Sequence, residues 1–266
     1  MPDPSLTYLL LCLSAFAAGV VNAVAGGGTL LTFPVLLWAL SDKGTAAEVL
    51  ANATSTVALV PGSLAGAWGY RHDLRGTGPW LRLLILPSLL GGLAGSLLLI
   101  RLPGSVFHVL IPWLLLTAAL LFMAQPSLSR FLEIGDKGHL PTAGLCALLV
   151  LFQFGVSVYG GYFGAGIGIL MLTALSLMGV GDIHRMNAVK TFLAAGINGV
   201  SVGVFVAYNQ VEWRPALAMA VAAILGGYFG ARVGRRLPRA LIRWLVIVIG
   251  LGLAAHYFLK SAGVSG

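Results

Sequence analysis

The chain has 266 residues, 58% hydrophobic and 9% charged, with a formal net charge of +8 and a mean hydropathy of +0.95. About a quarter of a soluble domain is charged, so this chain cannot coat a water-facing surface. A soluble enzyme and a nucleic-acid-binding domain are excluded, because the positive charges sit in short loops between apolar runs, where they act as topology signals.

In chain order, the N-terminus "MPDPSLTYLLLCLSAFAAG" lacks the positive region of a secretory signal peptide, so its apolar run reads as a retained span. Ten apolar segments follow from the polar punctuation: 6–24, 29–40, 46–70, 79–100 and 104–123, then 141–163, 167–178, 184–208, 213–234 and 238–259. The second of each set has about twelve residues, short of the roughly 20 a span needs. A polar linker, 124–140, separates a first membrane repeat, 1–123, from a second, 141–266. Cys12 and Cys146 both lie in apolar runs; no metal-ligand spacing occurs and no disulfide is expected.

The two halves resemble each other. "GGLAGSLLLIRLP" (91–103) aligns without gaps on "GGYFGARVGRRLP" (226–238), and the same offset places Asn52-Ala53 on Asn187-Ala188 and Thr56 on Thr191. Gly26-Gly27-Gly28 falls on Gly166-Ile167-Gly168. Charge then orients the halves. With an odd number of crossings per half, Arg71, Arg75, Arg82, Arg130, Lys137, Arg185, Lys190, Arg232, Arg235, Arg236, Arg239 and Arg243 share one side, against Lys43, Arg101, Arg214 and Lys260, a split of 12 to 4. An even number splits them 9 to 7. The positive-inside rule selects the odd count, which inverts the second half and puts both termini outside. Inverted repeats with broken helices are a recurrent plan of secondary transporters. Whether the short glycine-opened segments cross or re-enter stays open, because both give the same loop sides.

The glycines carry the functional argument. Each costs a helix about 1 kcal/mol, yet "AGGG" interrupts an apolar run, with the next helix starting at Thr29. "GYFGAGIG" interrupts the second half, with a helix start expected near Ile169. A break frees amide N–H groups at the positive end of a helix, where anions bind. Gly26, Gly27, Gly28 and Thr29 form one expected cradle, and Gly164, Gly166 and Gly168 the other. Glycines spaced for packing, Gly91/Gly95, Gly199/Gly203 and Gly226/Gly230/Gly234, read as helix contacts. Asn22, Asn52, Thr54, Ser55, Asn187 and Thr191 lie near the breaks, with groups that can orient oxyanion oxygens or bond back to their own helices. Lys190 is several residues inside an apolar run with no acid within a turn; it either faces an anion or snorkels to the headgroups. His108 and His256 lie in apolar segments; proton relay is one reading of them, and a buried, hydrogen-bonded histidine is the preferred one. No Walker loop, nucleophile elbow or paired carboxylates occur, so neither an enzyme nor an ATP-driven pump is expected.

These residues resemble the sulfite exporter TauE/SafE family, also called the toluene sulfonate uptake permease family. The resemblance rests on "GVVNAVAGGGTLLTFPVLL" with "ANATSTVALVPGSLAG", and on "YGGYFGAGIGILML" with "MNAVKTFLAAGINGV". It implies a multi-pass transporter of a bacterial or archaeal cytoplasmic membrane, for sulfite, sulfonates or related small anions. "GAGIG" departs from a glycine triplet, so the two breaks need not be equal. The expectation is thus an all-α protein of two inverted repeats, binding a small anion without metal or cofactor and cycling by alternating access. Its partners are that anion and the lipid bilayer. Protons remain open as the coupling ion, and the oligomeric state is open too. An anion channel and a carrier of non-sulfur organic acids are the alternatives.

Overall fold

A computed structural model describes residues 3–24, 27–132, 142–180, 183–233 and 239–261. The ten apolar runs form ten α-helices: α1 (Pro4–Val24), α2 (Thr29–Ala39), α3 (Ala47–Gly69), α4 (Gly78–Arg101), α5 (Gly104–Leu132), α6 (Ala143–Tyr162), α7 (Ile167–Leu177), α8 (Ile183–Ala207), α9 (Trp213–Val233) and α10 (Arg239–Ser261). A 3-10 turn, Ser41–Ala46, joins α2 to α3, and no strand occurs among the described residues. Among the described residues, six helices, α1, α3, α4, α5, α6 and α8, are long and apolar enough to cross a membrane. With 11 residues each, α2 and α7 reach only about 16 Å, half a hydrocarbon core. One boundary differs from expectation: α5 continues past 123 to Leu132, through Pro126, into the segment read as linker.

The halves are intertwined. The most extensive packing is α1 on α9 and α4 on α6, and exchanging the halves turns the first pair into the second. The α3–α9 and α4–α8 contacts exchange in the same way, while α5–α10 and α3–α8 map onto themselves. Matched glycines make the two main interfaces possible, since small residues let helix backbones approach closely. A Cβ on Gly91 would meet the Phe154 carbonyl of α6, and one on Gly226 would meet the Phe16 carbonyl of α1. Gly199 and Gly203, read as packing glycines, instead have nothing within 4 Å of a built Cβ.

Loop contacts divide the ends of the bundle into two faces. Lys43 pairs with Glu212, and Ala46, Leu102, Gly104 and Gln210 line one depression, so the 3-10 turn, the α4–α5 link and the α8–α9 link share a face. The α3–α4 loop meets the start of α8 at the other end, where His72 and Arg75 lie with His184 and Arg185.

Candidate functional site

Both glycine clusters break the helices as expected. At the first break, Asn22 near the end of α1 uses its Oδ1 to accept the N–H of Gly27 (3.0 Å) and of Gly28 (2.7 Å). The free donors of that break are therefore partly satisfied from within the chain, and Asn22 acts as a cap. Thr29 then opens α2, with Leu30 and Leu31 donating back to the Gly27 and Gly28 carbonyls. Gly26 lies outside the described residues. Asn22→Ala is expected to cost about 1 kcal/mol, as loss of a cap does, read as a lower thermal midpoint in detergent. An unchanged midpoint would show that these two bonds do not hold the break.

The second break is built differently. The Phe163 and Gly164 N–H groups close on the Tyr159 carbonyl, and the Tyr159 hydroxyl donates to the Ala165 carbonyl at 2.7 Å. Gly166, with φ of 80°, precedes α7 in the left-handed region. The helix begins at Ile167 rather than near Ile169, so Gly168 belongs to its first turn and not to the break. Its N-cap residue, Gly166, has no side chain to cap the helix, and no counterpart of Asn22 bonds there among the described residues. Among the described residues, no acceptor meets the N–H of Gly166, Ile167 or Gly168. The two breaks are therefore unequal: one is capped and one presents open donors.

The breaks also meet. A Cβ on Gly27 would lie 3.6 Å from the Gly166 nitrogen and 2.5 Å from Cζ of Phe122, a fully buried ring of α5. Gly27 has φ of 106°, which a side chain strains to adopt. Beside the second break, the rings of Phe33, Phe107, Tyr162 and Phe163 pack edge to face or tilted, with centroids 5.5–6.4 Å apart.

The polar residues of α3 divide among several tasks. Asn52 is buried; its Nδ2 donates to the Tyr162 carbonyl at 3.0 Å, tying α3 to the end of α6. Its Oδ1, and the Tyr162 hydroxyl, have no partner among the described residues. Ser55 Oγ lies 2.6 Å from Thr32 Oγ1 of α2 in a buried hydroxyl pair. Thr54 Oγ1 accepts the Glu212 N–H at 3.0 Å. The Glu212 carboxylate in turn binds Lys43 at 3.0 Å and holds that ammonium above the usual lysine range. Thr54, Glu212 and Lys43 thereby latch the two halves together at one face.

On α8, Thr191 Oγ1 bonds back to the Asn187 carbonyl at 2.7 Å, and Asn187 Nδ2 to the Ile183 carbonyl at 2.9 Å. The matched asparagines thus differ, since Asn52 reaches across to another helix and Asn187 serves its own. Lys190 is only 7% exposed, so it does not snorkel into water. Its Nζ donates to Asn187 Oδ1 at 2.9 Å, and no carboxylate pairs with it among the described residues.

Two expectations need correction. His108 is not buried: its side chain is 46% exposed and its Nδ1 lies 2.6 Å from Glu48 Oε1. His256 is exposed as well, because each lies on an outward face of its helix. The structure adds one polar cluster that sequence analysis missed. Gln153 of α6 is buried, donates to Ser88 Oγ of α4 at 2.9 Å, and leaves Oε1 without a partner among the described residues. An amide alone in the run "ALLVLFQFGVSV" was the available signal.

The family model described as "Sulfite exporter TauE/SafE" matches residues 11–257. The chain belongs to the TauE/SafE family. Relatives within similar reach bear general names. The "Probable membrane transporter protein ORF9" of Sinorhizobium sp is 28% identical, over 92% of this chain and 89% of that protein. A "Probable membrane transporter protein" of Haemophilus influenzae is 26% identical, over 94% and 93%. The "Probable membrane transporter protein YfcA" of Escherichia coli K12 is 24% identical, over 94% and 88%. No solved structure matches the chain. This TauE/SafE protein is accordingly a multi-pass membrane transporter, with glycine breaks and Lys190 as its most unusual features within the apolar bundle.

Proposed function

We propose that this TauE/SafE transporter carries a small anion, a sulfur oxyanion or sulfonate, through the bundle by alternating access. The observation that carries the reading is Lys190. Lys190 is buried in the first third of α8, where an ammonium carries part of the cost of about 2.5–3.5 kcal/mol that a charge has at a span's centre, and among the described residues its hydrogen-bond partner is a neutral amide. An anionic substrate is the partner that offsets this cost. The open N–H groups before α7 offer a charge-free attraction for an anion. The family's name supports sulfite as the first substrate to try.

The exchangeable packing of α1–α5 with α6–α10 supports two repeats, 1–123 and 141–266, of opposite orientation, as such carriers use. Rocking of one repeat against the other would open the Lys43–Glu212 latch at one face. In this reading the arginine-rich face is cytoplasmic and both termini are external. A reporter fused after Gly266 is expected to read as external; an internal signal would reverse the charge argument. The decisive assay is proteoliposome flux across sulfite, thiosulfate, taurine, sulfoacetate and simple carboxylates. Saturable sulfur-anion flux at low turnover is expected. Flux of none of them would remove the reading, unsaturable flux would favour a channel, and carboxylate flux alone would move the substrate to organic acids.

A further inference from the structure

The alignment of the two halves places Asn52, Ser55 and Thr56 of α3 on Asn187, Lys190 and Thr191 of α8. The fold keeps this match at the threonines. Thr56 Oγ1 bonds back to the Asn52 carbonyl at 2.9 Å, as Thr191 Oγ1 does to the Asn187 carbonyl at 2.7 Å. The asparagine oxygens then differ. On α8 the Lys190 ammonium serves Asn187 Oδ1 at 2.9 Å. On α3 the lysine's place is taken by Ser55, whose hydroxyl pairs with Thr32, and Asn52 Oδ1 has no partner among the described residues.

Asn52 is only 1% exposed, and a buried acceptor left unpaired costs as much as taking it out of water. The donor that meets this need on α8 is a cation. The surroundings of Asn52 suit a cation too. Its Nδ2 donates to the Tyr162 carbonyl, so the Oδ1 of the same carboxamide lies beside the last residue of α6. A helix carries partial negative charge at that end, where its carbonyls lack intrahelical donors. The Tyr162 carbonyl keeps a second lone pair, and the buried Tyr162 hydroxyl also has no partner among the described residues. Ser55 lies three residues on from Asn52, on the same helix face, and is fully buried with Thr32.

The chemistry narrows the ligand. An amide oxygen only accepts, so an anion does not bind at Oδ1, and the Nδ2 that could hold one is spent on Tyr162. Calcium and magnesium draw on carboxylates, whereas the oxygens here belong to an amide, a carbonyl and hydroxyls and carry no formal charge. Glu48, four residues before Asn52 on the same face, lies in the first turn of α3 and binds His108, with its side chain 13% exposed. It sets a negative charge between the end of the bundle and the buried oxygen.

We infer that Asn52 is the centre of a binding site for a small monovalent cation, which Asn52 Oδ1 holds in the first half as Asn187 Oδ1 holds the Lys190 ammonium in the second. The site does not rest on the anion proposed for transport.

The test uses the purified full chain in a neutral detergent, with choline chloride exchanged stepwise for sodium, lithium or potassium chloride at constant ionic strength. An alkali cation is expected to raise the thermal midpoint saturably above that in choline. Asn52→Ala is expected to raise the half-saturating concentration about tenfold or more, as loss of a bond to a charged group does. Asn52→Asp, which keeps the oxygens and adds a charge, is expected to lower it, and serves should Asn52→Ala not fold. A midpoint equal in all four salts would overturn the site and leave Oδ1 to a buried water. A cation response that both variants leave unaltered would overturn it as well, because the ion then binds elsewhere. Chloride is the one anion present, so the result stands whether or not sulfur anions are carried.

Discussion

Lys190→Gln is expected to weaken anion affinity by about 30-fold or more, because removing one member of a buried charge pair costs at least about 2 kcal/mol. The measurement is the concentration dependence of flux in proteoliposomes. Stability should move the other way. Glutamine removes a buried charge that no carboxylate pairs with among the described residues, so the thermal midpoint without substrate should hold or rise. Only a functional lysine gives that opposed pair of results. A lower midpoint with unaltered affinity would make Lys190 a packing residue, its ammonium serving Asn187 alone. Lys190→Arg is a sharper probe of geometry, since the larger planar head is not equivalent to an ammonium in a tight site. It should retain charge attraction and lose turnover.

The second large effect is expected at Gly27. Gly27→Leu should abolish flux while the protein still inserts, for two separable reasons. Its φ of 106° disfavours any side chain, and a Cβ there would press on the Phe122 ring at 2.5 Å and approach Gly166 at 3.6 Å. The substitution therefore pushes the two breaks apart. Gly27→Ala with Phe122→Ala separates the causes: the clash is relieved and the backbone strain of about 1–2 kcal/mol remains. Partial recovery of flux is expected relative to Gly27→Ala alone. Wild-type flux in Gly27→Leu would mean that contact between the breaks has no part in transport.

Much of the architecture was legible from local pattern. Apolar runs and their punctuation are set within a few residues, and the runs formed helices at nearly the expected bounds except α5, which continues nine residues past 123. The break at "AGGG" was legible for the same reason, since consecutive glycines disfavour helix regardless of context. The matched "GGLAG" and "GGYFG" glycines gave packing that tertiary contacts bear out at Gly91 and Gly226, whereas Gly199 and Gly203 carry the same spacing with no neighbour against them. Spacing specifies a face, and only the partner helix decides whether that face is used.

The site residues divide along the same line. Asn22, Thr54 and Ser55 were found as polar groups near breaks, but their partners are the Gly27 and Gly28 amides, the Glu212 amide and Thr32. Such bonds span up to 158 residues of sequence, and no periodicity predicts them. His108 illustrates the reverse error: an apolar neighbourhood in sequence suggested burial, and the helix turned it outward to Glu48.

The amino-acid order by itself determined the membrane class, the helices and the places where the chain unwinds, because composition, hydropathy and glycine content act over one or two turns. Tertiary structure alone decided that the breaks touch, that Asn22 caps one while no described side chain caps the other, and that Lys190 is enclosed. Those facts depend on which surfaces of distant helices come together, and free energy for that is gained only when both halves are folded against each other.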